Sequence, residues 1–260
     1  MGRKMLSEEE NRLTEEEICR FKAACEKIIG KNRERSGIGT LAEKTVHAVL
    51  KNYYAPDEDT HEIYVENCVA DIYTGVDIIE IQTRSFDRMR TKLDRFLPLY
   101  PVTIVYPIPY KKKLFWIDEE TGEISAGRMS PLTGTPYHAF PELYKIKMYL
   151  KDPNLRIRLT FLHMEEYKLL NGWSKDKKKG SSRFDRIPVS VEKEVEFCCP
   201  QDYLQLIPYE LQEPFTVASF AKAVHIRREL AQTVVHILHY LDVIEQTGKR
   251  GRAYLYTVKE

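Results

Sequence analysis

The sequence has no excess of either charge, no cysteine framework and no long apolar run. Lys and Arg number 40 and Asp and Glu 39, a net charge of +1. No bulk field draws such a chain to polyanions, and only local clusters can do so. The five cysteines, Cys19, Cys25, Cys68, Cys198 and Cys199, are odd in number, and two of them are adjacent. That excludes a paired disulfide framework and Cys-x-x-Cys zinc spacing, and it predicts buried free thiols in a reducing compartment. No stretch approaches the ~20 apolar residues of a membrane span, and the first twelve residues are too charged for a secretory leader. The expectation is a soluble, cytoplasmic protein with no membrane partner. Gly37-Ile38-Gly39 lacks the Lys and the spacing of a phosphate-binding P-loop, and no Ser/His/Asp or Cys/His set stands out.

What is present centres on residues 68–83, CVADIYTGVDIIEIQT. Two short strands joined at Thr74-Gly75 are expected, because glycine admits the positive φ of a tight turn. In the second strand Ile78, Glu80 and Gln82 share one face and Ile79, Ile81 and Thr83 the other. Asp71 is expected to close the first strand, at the same end of the sheet as Glu80. Two neighbouring carboxylates cost free energy to bury unless something neutralises them. A hard divalent cation such as Mg²⁺ does so through carboxylate oxygens.

Around this hairpin the pattern alternates between helix and strand. Thr14-x-x-Glu17 is a capping box, opening a helix with Phe21, Cys25 and Ile28 on its apolar stripe and a stop at Gly30. A second helix is expected from Thr40, with Val46, Val49 and Leu50 inward. Glu43 borders that face, either as the far end of a Thr40-x-x-Glu43 capping box or as an acid near the hairpin, and His47 reads as a boundary residue. Residues 61–69 read as a strand. Residues 84–97 form a basic amphipathic helix stopped by Pro98, and 102–106 a buried strand. A basic turn at 110–113, a further strand at 114–118, a half-exposed strand at 155–163 and a long basic loop at 172–186 complete the first 197 residues.

Asp71 followed by Glu80-Ile81-Gln82 resembles the Asp…Glu-x-Lys signature of the PD-(D/E)xK nuclease superfamily, with Gln82 where Lys is usual. The order helix, strand, hairpin, helix, strand over residues 35–110 is similar to that superfamily's core. The resemblance implies a restriction-endonuclease-like α/β fold, a mixed sheet flanked by helices. It implies Mg²⁺ or Mn²⁺ held by Asp71, Glu80 and the carbonyl of Ile81, with Glu43 as a further acid beside the metal. Gln82 can orient a water but brings no positive charge, so Arg88 or Lys92 on the basic helix is the candidate replacement cation.

The last sixty residues change character. A short helix entered at Thr216, a turn at His225-Ile226, a longer helix and a basic hairpin around Gly248–Gly251 resemble a winged helix-turn-helix. The expected division is residues 1–197 as the nuclease-like domain and 198–260 as a small α+β domain binding double-stranded DNA. The resemblance places Arg227, Arg228 and Gln232 at base edges and Lys249, Arg250 and Arg252 at phosphates. Together the halves predict a metal-dependent DNA endonuclease. The alternative is a DNA-binding regulator or scaffold on a nuclease fold without turnover, and the sequence leaves a homodimer open.

Overall fold

The computed structural model describes residues 13–35, 44–171 and 180–259. Glu43, its proposed capping box with Thr40, and the basic loop at 172–179 lie outside them. Helix α1 (Glu15–Arg35) opens on the expected box: Thr14 N–H donates to Glu17 Oε2 at 2.8 Å and Glu17 N–H to Thr14 Oγ1 at 3.2 Å. It runs past Gly30, since one interior glycine costs a helix only about 1 kcal/mol. Helix α2 (Lys44–Tyr54) packs on α1, with Phe21 edge-to-face on Tyr53.

The strands β1 (His61–Val65), β2 (Cys68–Tyr73) and β3 (Ile78–Ile81) form an antiparallel meander. The single strand expected at 61–69 is therefore a hairpin, turned by Glu66 and Asn67 at positive φ. Asp71 lies within β2 rather than at its end. Gly75 makes the second turn at φ +92°. A 3-10 turn (Phe86–Met89) and helix α3 (Arg90–Phe96) follow, and then β4 (Val102–Asp118) runs parallel to β3. The short strand β5 (Arg128–Met129) pairs with β4, and helix α4 (Phe140–Leu143) continues into a 3-10 segment over Tyr144–Tyr149. Two long strands, β6 (Leu155–Leu170), parallel to β4, and β7 (Ser182–Phe197), antiparallel to β6, complete the sheet. Among the described residues it has the order β1-β2-β3-β4-β6-β7.

The basic turn expected at 110–113 is strand, bent only by an irregularity between Pro109 and Lys111. Odd-numbered β4 residues bond toward β3: Ile78 N–H meets Pro101 O and Gln82 N–H meets Val105 O. Pro107 and Pro109 therefore lack their N–H on the side that β3, ending at Ile81, no longer covers, so no ladder bond is lost. Likewise 182–186, expected as loop, is the start of β7. The strand at 155–163 is mostly buried rather than half-exposed, because helices cover both faces of the parallel strands.

One face of the sheet packs Ile81, Val105, Leu162 and Met164 against α1 and α2. The other packs Ile78, Ile104, Ile157 and Phe161 against Phe86, Leu93 and Phe96 of the α3 region. The same second core continues into the C-terminal segment: α5 (Val217–Ala223), α6 (Arg228–Tyr240) and the hairpin β8 (Ile244–Arg250) and β9 (Ala253–Val258). Phe220 is buried edge-to-face on Tyr137, and Tyr137 Oη donates to Leu206 O at 2.7 Å. The hairpin turns at Gly251-Arg252, and Gly248 sits inside β8 beside a register shift. All five cysteines are free, but Cys19, Cys198 and Cys199 are exposed and only Cys25 is buried. Among the described residues no helix is long and apolar enough to cross a membrane.

Candidate functional site

The antiparallel pairing of β2 with β3 sets Asp71 and Glu80 against each other's backbones. Ile81 N–H donates to Asp71 Oδ2 at 2.8 Å, and Asp71 N–H donates to Glu80 Oε1 at 3.3 Å. Each carboxylate is thus fixed by the strand that carries the other. Helix α2 brings His47 Nε2 to 3.1 Å from Asp71 Oδ2. From the opposite side, α3 brings Lys92 Nζ to 2.7 Å from Glu80 Oε2. A cavity of about 220 Å³ opens here, lined by His47, Asp71, Glu80, Gln82, Arg88 and Lys92, with Ile81 in its wall.

The two acids have opposite electrostatics. Burial pushes the Asp71 carboxyl up, but the His47 ring, the Ile81 N–H and Lys92 outweigh it and hold Asp71 below its ordinary range. Glu80 is 4 % exposed. Burial first and the Asp71 charge second push its carboxyl up to about 7, against the pull of Lys92 and the Asp71 N–H. One acid stays ionised while the other sits near its midpoint at neutral pH, an arrangement concentrated at functional sites.

Of the residues singled out from the sequence, Asp71, Glu80, Ile81 and Gln82 meet in this cavity. Gln82 Nε2 donates to Ser85 O at 3.3 Å, which ties its amide to the following turn. Arg88 lines the cavity, is exposed, and has no ion-pair partner among the described residues. His47 is the residue that sequence reasoning missed. The available signal was its spacing of four residues after Glu43, the acid that the sequence reading set near the hairpin.

Arg227, Arg228 and Gln232 stand exposed at the start of α6, which follows a tight turn with His225 at positive φ. Arg250 and Arg252 are exposed at the tip of the β8–β9 hairpin. Lys249 lies 4.7 Å from the Tyr254 ring centroid. Among the described residues none of these five cations has an ion-pair partner. The carboxylate cavity and this basic surface are separate places on the molecule, linked through α4. Glu142 Oε2 accepts from Phe86 N–H at the start of the α3 region, and the 3-10 segment that continues α4 packs on α6 through Tyr144 and His236.

Residues 44–198, more than half of the chain, match the family described as "Domain of unknown function (DUF8091)"; the chain belongs to that family. It is also similar to an uncharacterized protein of Treponema pallidum (strain Nichols). The two are 26% identical over 232 residues, which cover 84% of this chain and 86% of the relative. No solved structure matches. The family match spans α2 to the end of β7 and so includes every described residue of the carboxylate cavity.

Proposed function

We propose that the protein is a metal-dependent DNA endonuclease of the PD-(D/E)xK type, targeted by a C-terminal winged helix. The observation that carries this reading is the Asp71–Glu80 pair on adjacent strands with Lys92 Nζ 2.7 Å from Glu80. Two carboxylates and a cation at the C-terminal end of a parallel β3–β4 pair make up the superfamily's chemistry with the Lys supplied from a helix. The mixed sheet flanked by helices is compatible with that fold.

The donor set fits Mg²⁺ or Mn²⁺. Asp71 and Glu80 are hard oxygen ligands, and the Asp71 charge that raises Glu80 is a repulsion that a divalent cation relieves. When bound, the ion supplies Lewis-acid stabilisation of a phosphodiester and lowers the pKa of a bound water. The chain's own residues do the rest. Lys92 keeps positive charge beside Glu80 in a low-dielectric site. Arg88 projects a guanidinium where a phosphate oxygen enters, and His47 fixes the Asp71 carboxylate. Gln82, with its amide held by Ser85, offers a carbonyl that can orient water but moves no proton. Arg227, Arg228 and Gln232 meet base edges, and Lys249, Arg250 and Arg252 meet phosphates, so most DNA affinity comes from the C-terminal unit.

The test is cleavage of supercoiled plasmid and of short duplex, single-stranded and branched DNA with Mg²⁺ and Mn²⁺, wild type against Glu80→Ala. Slow cutting lost in the variant, with DNA affinity kept, supports the enzyme. Equal inertness on every substrate selects a DNA-binding regulator instead. What favours that second reading is that Lys92 already neutralises Glu80 while Gln82 is tied down.

A further inference from the structure

A second concentration of charge lies beside the carboxylate cavity. Glu166 on β6 is 3 % exposed and is met by four cations. Lys112 Nζ lies at 3.1 Å, Arg186 Nε at 3.2 Å, Lys168 Nζ at 3.8 Å and Arg183 Nε at 4.0 Å. The strand register builds the group: Glu166 faces Arg186, and Lys168 faces Arg183, across the β6–β7 ladder. Among the described residues, one buried carboxylate answers four cations. Three of the four, Lys112, Lys168 and Arg186, keep less than a third of the side chain exposed, and such a surplus of positive charge is unfavourable unless an anion completes it.

The same arginines open onto a cleft of about 150 Å³, lined among others by Thr83, Arg84, Pro107, Arg183, Asp185 and Arg186. Asp185, the acid in that lining, is turned onto the chain itself. Its Oδ2 accepts from Thr45 Oγ1 at 3.1 Å and its Oδ1 from Arg186 N–H at 2.7 Å. Burial, and Arg183 next to it, hold the Arg186 guanidinium below its ordinary value, the direction expected of a cation short of anions. Thr83 lines both this cleft and the carboxylate cavity. It follows Glu80 by three residues, a separation of at most about 10 Å.

We infer that this cleft is a second phosphate subsite: Arg183 and Arg186 hold a phosphate of the nucleic-acid strand that presents a phosphodiester to Asp71 and Glu80. The inference rests on the nucleic-acid reading above and deepens it. Arginine is suited to the task because its planar fork meets two phosphate oxygens at once. Glu166 acts as a positioning residue that keeps the side chains aimed, with Lys112 and Lys168 sharing its charge. The phosphate is either internal to a strand or at its end, since both present the same oxygens.

The experiment is fluorescence anisotropy of the full chain with short duplexes in EDTA across a salt series, so that binding is read without cutting. The duplexes carry either hydroxyl or 5′-phosphate ends. Arg183→Ala and Arg186→Ala should each weaken binding and reduce the log–log salt slope by roughly one unit. Arg183, whose side chain is 45% exposed, serves as the variant least able to disturb folding. Equal losses on both duplexes assign an internal phosphate; losses confined to the phosphorylated duplex assign a terminal one. Unchanged affinity and slope in both variants overturn the inference and leave a structural ion-pair network, as does a wild type without salt-dependent binding. If the chain binds through these arginines but never cuts, the nuclease reading falls and the subsite stands. If it cuts while both variants bind as wild type does, the subsite falls and the nuclease reading stands.

Discussion

Lys92 Nζ donates to Glu80 Oε2 at 2.7 Å from twelve residues further along the chain, while position 82, two residues after Glu80, holds a neutral Gln tied to Ser85. The positive charge beside the buried acid therefore comes from α3 rather than from β3. Lys92→Ala should reduce cleavage about 10²-fold or more, the size of effect seen when one preorganised donor is removed. It should also destabilise the fold by about 1–3 kcal/mol, because Glu80 loses its partner while buried. Adding Gln82→Lys to Lys92→Ala should restore part of the rate. Single-turnover cleavage and urea unfolding read both effects, and a double variant no faster than the single one limits Lys92 to a structural role.

Without divalent ions, Glu80 gives the stability a pH dependence of defined sign. Its carboxyl ionises near 4.5 when unfolded but only at about 7 when folded. The folded state is therefore favoured most below pH 4.5, and stability falls as pH rises through 7, by an amount on the order of 3 kcal/mol. Asp71, held below 3.8, contributes the opposite way: its stabilisation is present above 3.8 and is lost as pH falls further. Glu80→Gln should gain on the wild type between pH 4.5 and 7 and hold a constant advantage above that. Urea titrations at stepped pH in EDTA measure the difference, and parallel curves for the two proteins would contradict the assignment.

A divalent cation held by Asp71 and Glu80 would favour ionised Glu80, so Mg²⁺ or Mn²⁺ should raise the Tm more at pH 8 than at pH 5. Calorimetry should show binding that Asp71→Ala abolishes. An unchanged isotherm in that variant removes the metal from this cavity.

On the C-terminal surface, replacing Lys249 or Arg252 by Ala should weaken binding to all duplex sequences alike and lower the salt slope by roughly one unit each. Arg228→Ala should instead narrow the gap between preferred and random sequence. Competition binding of the full chain separates these outcomes. No change in any variant assigns this surface to protein contacts.

Because Phe220 is fully buried against Tyr137 in a core shared with the sheet, Phe220→Ala should cost about 3–5 kcal/mol. It should shift one cooperative unfolding transition rather than create two. Two resolved transitions by calorimetry would show that the C-terminal unit folds independently.

The local code was legible where a residue's role depends on its near neighbours. The Thr14–Glu17 box, the Gly75 turn, the Thr216 cap, whose Oγ1 accepts from Ser219 N–H at 3.1 Å, and the alternation that separates Ile81 from Glu80 are decided within a few residues, and the sequence alone determined them, along with the choice of Asp71 and Glu80 as the acids to watch. It misread Gly30 as a stop and 110–113 as a turn. Whether a glycine ends a helix depends on what packs beyond it, and whether Pro107 and Pro109 break a strand depends on which neighbour their missing N–H faces. The sequence offered Arg88 or Lys92 as the site's cation, and tertiary structure chose Lys92 as the partner of Glu80. It alone brought His47 and the β2–β3 backbone onto Asp71 and gathered cations from three strands around Glu166. Those approaches are set by which faces of α2 and α3 bury their apolar stripes on the sheet, a long-range outcome that periodicity along one segment does not contain.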